Sequence, residues 1–149
     1  MAELRRFLVP TDFTETSERA LEWALDLAKR VGAAVTVMHA YEIPILGFPD
    51  GALIASPDIA TKISEAARSG LDRTVARVKD RGVPVDAILR DGVAYEEVNA
   101  VAEAIQADLI IIGTHGRRGI ARALLGSVAE NVIRTATRPV VTIHGPRGA

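Results

Sequence analysis

Cysteine is missing from all 149 residues, which excludes disulfides, thiolate metal sites and cysteine nucleophiles, and fits a protein of a reducing compartment. Aromatic residues make up only 4% of the chain, so a core has to be aliphatic, assembled from Val, Ile, Leu and Ala. An excess of one charge is lacking too: 18 Lys+Arg against 19 Asp+Glu leave a net charge of −1. Overall charge therefore offers no broad attraction to nucleic acid or to an anionic membrane, and an anionic ligand must be held by local geometry. Apolar runs are short, of the kind Leu109-Ile110-Ile111-Ile112, far below the ~20 residues that span a bilayer. Arg5-Arg6 is followed only by Phe7-Leu8-Val9 before Pro10, too little for the ~7–15-residue apolar region of an export signal. The expectation is a cytoplasmic protein with neither nucleic-acid nor membrane partners.

What is present reads as a globular chain. Apolar residues form 48% and charged residues 25%, and the length suits one domain, residues 1–149, that hides roughly 70% of its unfolded surface. Short β-branched or aliphatic runs at Arg6–Val9, Ala34–Ala40, Val85–Arg90, Leu109–Ile112 and Pro139–Ile143 read as strands. Between them, amphipathic stretches read as helices over about Ser17–Val31, Ile59–Arg81, Tyr95–Gln106 and Gly126–Thr135. In the first, Ala20, Leu21, Ala24, Leu25, Leu27 and Ala28 recur at spacings of three and four, with Thr16 or Ser17 as the cap and Gly32 as the stop. The alternation, together with right-handed crossovers, predicts an α/β fold: an open, doubly wound, five-stranded parallel sheet with helices on both faces. The segment Tyr41–Pro57, rich in Pro and Gly among apolar residues, reads as a long irregular loop that covers a ligand, meets a partner or folds onto the core.

In such a sheet, ligands sit beyond the carboxyl ends of the strands, which directs attention to Pro10-Thr11-Asp12, His39-Ala40-Tyr41 and Gly113-Thr114-His115-Gly116. The last opens the stretch Gly113-x2-Gly116-x9-Gly126-Ser127-Val128. Glycines allow close approach of backbone to ligand, and the N–H groups at a helix start attract phosphate oxygens, to which Ser127 adds a hydroxyl. The pattern reads as a polyphosphate cradle. Neither the dinucleotide G-x-G-x-x-G spacing after the first strand nor a loop ending in Gly-Lys-Ser/Thr is present.

The spacing Gly113-x2-Gly116-x9-Gly126-Ser127 resembles the signature of the ATP-binding universal stress proteins. Leu8-Val9-Pro10-Thr11-Asp12-Phe13-Thr14-Glu15 resembles that family's first strand and turn, Val35–His39 its second strand, and Gly126–Ile133 with Arg138-Pro139-Val140 its last helix and strand. The resemblance implies a Rossmann-like fold and an ATP-binding stress-response regulator. It further implies that Asp12, beside Pro10 and Thr11, bonds the ribose hydroxyls, and that the main chain at Ala40, where the family often has Val, meets the adenine. Gly113, Gly116, Gly126, Ser127 and Val128 would surround the phosphates, flanked by Ile112, His115 and Arg117. ATP, possible Mg or Mn alongside it, and a homodimer through Pro139–Ile143 complete the expectation; AMP or a cyclic nucleotide suits the same residues.

Other readings attach to the same residues. Asp12 as a phosphoacceptor lacks the accompanying acids that a magnesium site needs. A slow ATPase or self-phosphorylating enzyme, with Ser127 or Thr114 as acceptor and His115 assisting, remains the alternative function, since phosphoryl transfer needs positioning more than covalent machinery. No catalytic residue is assigned, because His115 has no carboxylate in sequence to orient it. His39 and His144 show no ligand spacing, Glu96 and Glu97 suit a helix start, and Trp23 and Tyr95 are expected to pack on helix faces.

Overall fold

The computed structural model describes residues 3–47, 49, 51, 53–54, 56–115 and 125–145. Five parallel strands, β1 (Arg6–Pro10), β2 (Ala34–Tyr41), β5 (Val85–Asp91), β6 (Leu109–Gly113) and β7 (Val140–Ile143), form one sheet in the order β5-β2-β1-β6-β7. Phe7 pairs with Val35 on one side and Leu109 on the other, and Ile110 pairs with Val140. Helices α1 (Glu15–Val31), α2 (Pro57–Val78), α3 (Ala94–Ala104) and α4 (Ser127–Thr135) link them. The expected α/β architecture is therefore the observed one.

Alternation along the strands separates two aliphatic layers. Phe7, Val9, Val35, Val37 and Ile111 face α1 and α2, meeting Ala20, Leu21, Ala24, Leu25 and Leu71. Leu8, Met38, Ile110 and Ile112 face α3 and α4, meeting Val98, Val101, Ala129 and Val132. Each fully buried side chain of this size contributes roughly 1.5–3 kcal/mol against conformational entropy. Because the chain leaves β1 toward β2 and leaves β6 toward β7, the strand order reverses between β1 and β6, and their carboxyl ends open a crevice there.

Several boundaries differ from expectation for identifiable reasons. The cap of α1 is Thr14, whose hydroxyl accepts from Ser17 N–H, instead of Thr16 or Ser17; Gly32 ends the helix at φ 76 as expected. Helix α2 begins at Pro57, two residues early, because proline at the first helical position loses no bond. Gly126 caps α4, and Ser127 is its first helical residue. The last strand starts at Val140, since Pro139 has no N–H to give and contributes only its carbonyl, to Ile110 N–H. Within the expected irregular loop, β3 (Leu46–Gly47) and β4 (Leu53–Ile54) pair antiparallel; two-residue strands are too short to leave a periodic trace. Trp23 is 41% exposed instead of packed.

Candidate functional site

The crevice between β1 and β6 is a cleft of about 790 Å³, within the ~300–1,000 Å³ range of small-molecule sites. Ten of the twelve residues proposed from sequence line it: Pro10, Thr11 and Asp12 after β1, Ala40 on β2, Ile112, Gly113 and His115 at β6, and Gly126, Ser127 and Val128 at the start of α4. Gly116 and Arg117 lie outside the described residues. Separate stretches of sequence are thus brought to one sheet edge.

The Asp12 turn is tightly built. Thr11 continues the β1–β2 ladder, its N–H donating to the Met38 carbonyl at 2.8 Å. Its buried hydroxyl stands 3.0 Å from Ser17 Oγ and accepts from Phe13 N–H at 3.0 Å. Asp12 Oδ1 accepts from the Thr14 N–H at 3.1 Å and from the Thr14 hydroxyl. One carboxylate oxygen is thereby anchored to the helix cap, and the half-buried carboxylate is oriented in the cleft wall.

On the other side of the cleft, α4 opens with no side-chain cap. The bonds along α4 begin with Glu130 N–H donating to the Gly126 carbonyl, so the first helical amides, Ser127 and Val128 among them, lie ahead of the helix's own ladder. The positive end of the helix dipole lies there, an environment favourable to negative charge, and the Ser127 hydroxyl is exposed beside them. The Gly126 amide is committed elsewhere: it donates to the Thr114 carbonyl at 2.5 Å. Of the backbone groups expected from sequence at the phosphate cradle, the Gly126 N–H is thus taken by the protein itself.

Gly113 has a second reason to be glycine. A Cβ there would lie 2.9 Å from Thr16 Cγ2 and 3.1 Å from the Thr16 carbonyl carbon and oxygen. β6 must pass this close to α1, whatever ligand is present. Thr114 is 1% exposed, and its hydroxyl contacts His115 Nδ1 at 3.0 Å and His144 Nδ1 at 3.4 Å. A hydroxyl so enclosed is a poor phosphoryl acceptor, which sets aside one of the two acceptors considered from sequence. Among the described residues no group of three or more His, Cys, Asp or Glu could hold a metal ion.

The carboxyl with a markedly lowered pKa is remote. Arg138 and Thr137, on the lead into β7, hydrogen-bond the carboxylate of Glu103 on α3 and hold it down at about 2, outside the cleft lining. A second depression of about 790 Å³ between α2 and β5 is lined by Tyr41, Ser64, Arg68, Asp72 and Arg73, among others. Its charges are mixed, and its lining includes neither Pro10-Thr11-Asp12 nor Gly113-Thr114-His115.

The model of the Universal stress protein family matches residues 3–144. The chain belongs to that family. It is 32% identical over 145 residues to universal stress protein MJ0531 of Methanocaldococcus jannaschii, which spans 96% of this chain and 84% of that protein. The solved structure of MJ0577, from the same organism, superposes with a TM-score of 0.82 at 26% identity, over 99% of this chain and 100% of that one. A universal stress protein solved in complex with cAMP superposes with a TM-score of 0.70 at 25% identity, over 96% and 98%. Among the described residues, no helix of this universal stress protein is long and apolar enough to cross a membrane.

Sequence reasoning missed several lining residues: Met38, His39, Glu42, Ala94, Val98, Ser17, Leu125 and Ala129. Strand alternation could have found Met38, which shares a face of β2 with Ala40. From sequence His39 stands in the turn after the second strand and shows no metal-ligand spacing, and no role is assigned to it; in the fold its Nδ1 stands 2.7 Å from the Thr11 carbonyl oxygen.

Proposed function

We propose that this universal stress protein binds ATP in the β1–β6 cleft and acts as a nucleotide-dependent regulator instead of a catalyst. The observation that carries the reading is the convergence of an oriented carboxylate, Asp12, and an uncapped helix start, Ser127-Val128, on one cleft at the strand-order reversal. Buried apolar side chains from both sheet and helices, Met38, Val98, Ile112 and Ala129, floor the same cleft, a surface suited to a purine. The adenine lies against the main chain at Ala40, the ribose hydroxyls bond Asp12, and the phosphates meet the Ser127 and Val128 amides and the Ser127 hydroxyl. Pro10, Thr11, Ile112, Gly113 and Gly126 shape the walls and His115 flanks the phosphates, as do Gly116 and Arg117 beyond the described residues. The cAMP complex of a relative supports an adenine nucleotide as the ligand class.

Mg or Mn, where it accompanies the nucleotide, is carried by the phosphates, in keeping with the lack of an acidic cluster among the described residues. A regulator fits better than an enzyme because the His115 Nδ1 is engaged by Thr114, with no oriented base beside the phosphate end among the described residues. β7 forms one edge of the sheet, and an unpaired edge invites a second copy, so a cytoplasmic homodimer through Pro139–Ile143 belongs to the same reading. Nucleic acid and membrane are not partners in it.

Calorimetric titration with ATP tests the site. Ser127→Pro removes both the hydroxyl and the amide, while α4 keeps its bonds, because proline suits the first helical position and Gly126 already lies at φ −61, ψ 153. Wild type is expected to bind one ATP per chain and the variant about tenfold or more weakly, the loss of two hydrogen bonds to a charged group. Equal binding by both proteins, or none by wild type, overturns the reading.

A further inference from the structure

β2 holds the Asp12 turn at two points. The first is the ladder bond from Thr11 N–H to the Met38 carbonyl, 2.8 Å. The second comes one residue later, where His39 Nδ1 stands 2.7 Å from the Thr11 carbonyl oxygen. A carbonyl only accepts, so Nδ1 carries the proton and donates. That carbonyl belongs to the planar peptide unit joining Thr11 to Asp12. Fixing its direction fixes the direction in which Asp12 leaves the strand, just after β1 ends at Pro10.

The next residue shows that the turn needs holding. Phe13 sits at φ 66, a conformation that costs a bulky side chain energy and persists only where surroundings enforce it. Its ring is clamped between the His39 ring, centroids 4.4 Å apart and tilted 39°, and Gly70 of α2, where an added Cβ would stand 2.8 Å from the ring carbons. His39 thus contacts the turn on both sides of Asp12: by hydrogen bond before it and by ring contact after it.

We infer that His39 is a positioning residue that sets the Asp12 carboxylate for the ribose hydroxyls of the nucleotide. The inference rests on the ATP reading above, and it assigns His39 a role in ligand choice: preference for a nucleotide with an intact ribose diol over one without.

Two variants separate the contacts. His39→Phe keeps a ring against Phe13 and removes the donor; His39→Asn keeps a donor close to the Nδ1 position and removes the ring. ATP and 2′,3′-dideoxy-ATP are titrated calorimetrically into the full chain. Wild type is expected to favour ATP by about tenfold, the value of charge-assisted hydrogen bonds to the diol. In His39→Phe that preference collapses toward unity, because ATP weakens about tenfold and the dideoxy compound does not; His39→Asn regains most of it. If His39→Phe does not fold, His39→Gln, whose longer arm misplaces the donor, is expected to show the same collapse. A general structural defect would weaken both nucleotides alike. That outcome, or a preference that survives loss of the donor, overturns the positioning role and leaves ATP binding intact. Failure of wild type to bind either nucleotide overturns the reading of the cleft itself.

Discussion

Gly113→Ala separates two reasons for a glycine that sequence alone merges. If the residue serves only ligand approach, alanine should leave the nucleotide-free protein as stable as before, or slightly more so through the unfolded chain. The packing says otherwise. Gly113 is not at positive φ, but its added methyl would stand 2.9 Å from Thr16 Cγ2 and 3.1 Å from the carbon and oxygen of the Thr16 carbonyl. Two of these three atoms are main chain in the first turn of α1, which no rotamer change can move. Overpacking of this kind costs ~1–3 kcal/mol. Taking ~2 kcal/mol, the midpoint of thermal unfolding should fall by about 4–8 °C for a chain of this size, in buffer without nucleotide. Thr16→Ser removes the Cγ2 and with it the shortest contact only, so the double variant Gly113→Ala/Thr16→Ser should recover less than half of the loss. An unchanged or raised midpoint for Gly113→Ala, measured by circular dichroism in the absence of ligand, refutes the packing argument.

Two further outcomes follow from the same geometry. Because Arg138 and Thr137 lower the Glu103 pKa from 4.5 to about 2, the contact stabilises the fold fully above about pH 4.5 and is lost as pH falls through about 2; the urea midpoint of wild type should therefore fall more steeply over that range than that of Glu103→Gln, and parallel curves would contradict the assignment. At the sheet edge, the Pro139 and Ile143 carbonyls face β6, so the alternation turns the Val140 and Thr142 amides outward; Thr142→Pro should dissolve the proposed homodimer, read by sedimentation, without lowering thermal stability by more than a few degrees, and a dimer that survives it would place the interface elsewhere.

The sheet was legible because its chemistry is local and repetitive. Phe7-Leu8-Val9 and Leu109-Ile110-Ile111-Ile112 are apolar at every position, as strands buried on both faces must be, and Ala20 to Ala28 carries a helical stripe. The cleft was legible through its strand ends: Asp12 just beyond β1, Ala40 near the end of β2 and Gly113 at the end of β6 mark the edge where a parallel sheet binds. What escaped depends on contacts across the fold. Three hydroxyl residues, Thr14, Thr16 and Ser17, compete to cap α1, and the choice falls to Thr14 because Asp12 bonds its amide and hydroxyl. The Gly126 amide looked available until the Thr114 carbonyl took it, and nothing near either residue in sequence signals that bond. His39 reads as a polar residue in a largely apolar strand; its tie to Thr11 exists only because β1 and β2 are neighbours.

The central claim is that the carboxylate beyond β1 and the opening amides of α4 grip opposite ends of one adenine nucleotide. A crystal structure of the full chain grown with ATP tests it most directly. It should show phosphate oxygens within hydrogen-bonding distance of the Ser127 and Val128 amides and a ribose hydroxyl on Asp12. Nucleotide seated in the depression between α2 and β5, or a cleft that stays empty at saturating ATP, would contradict it.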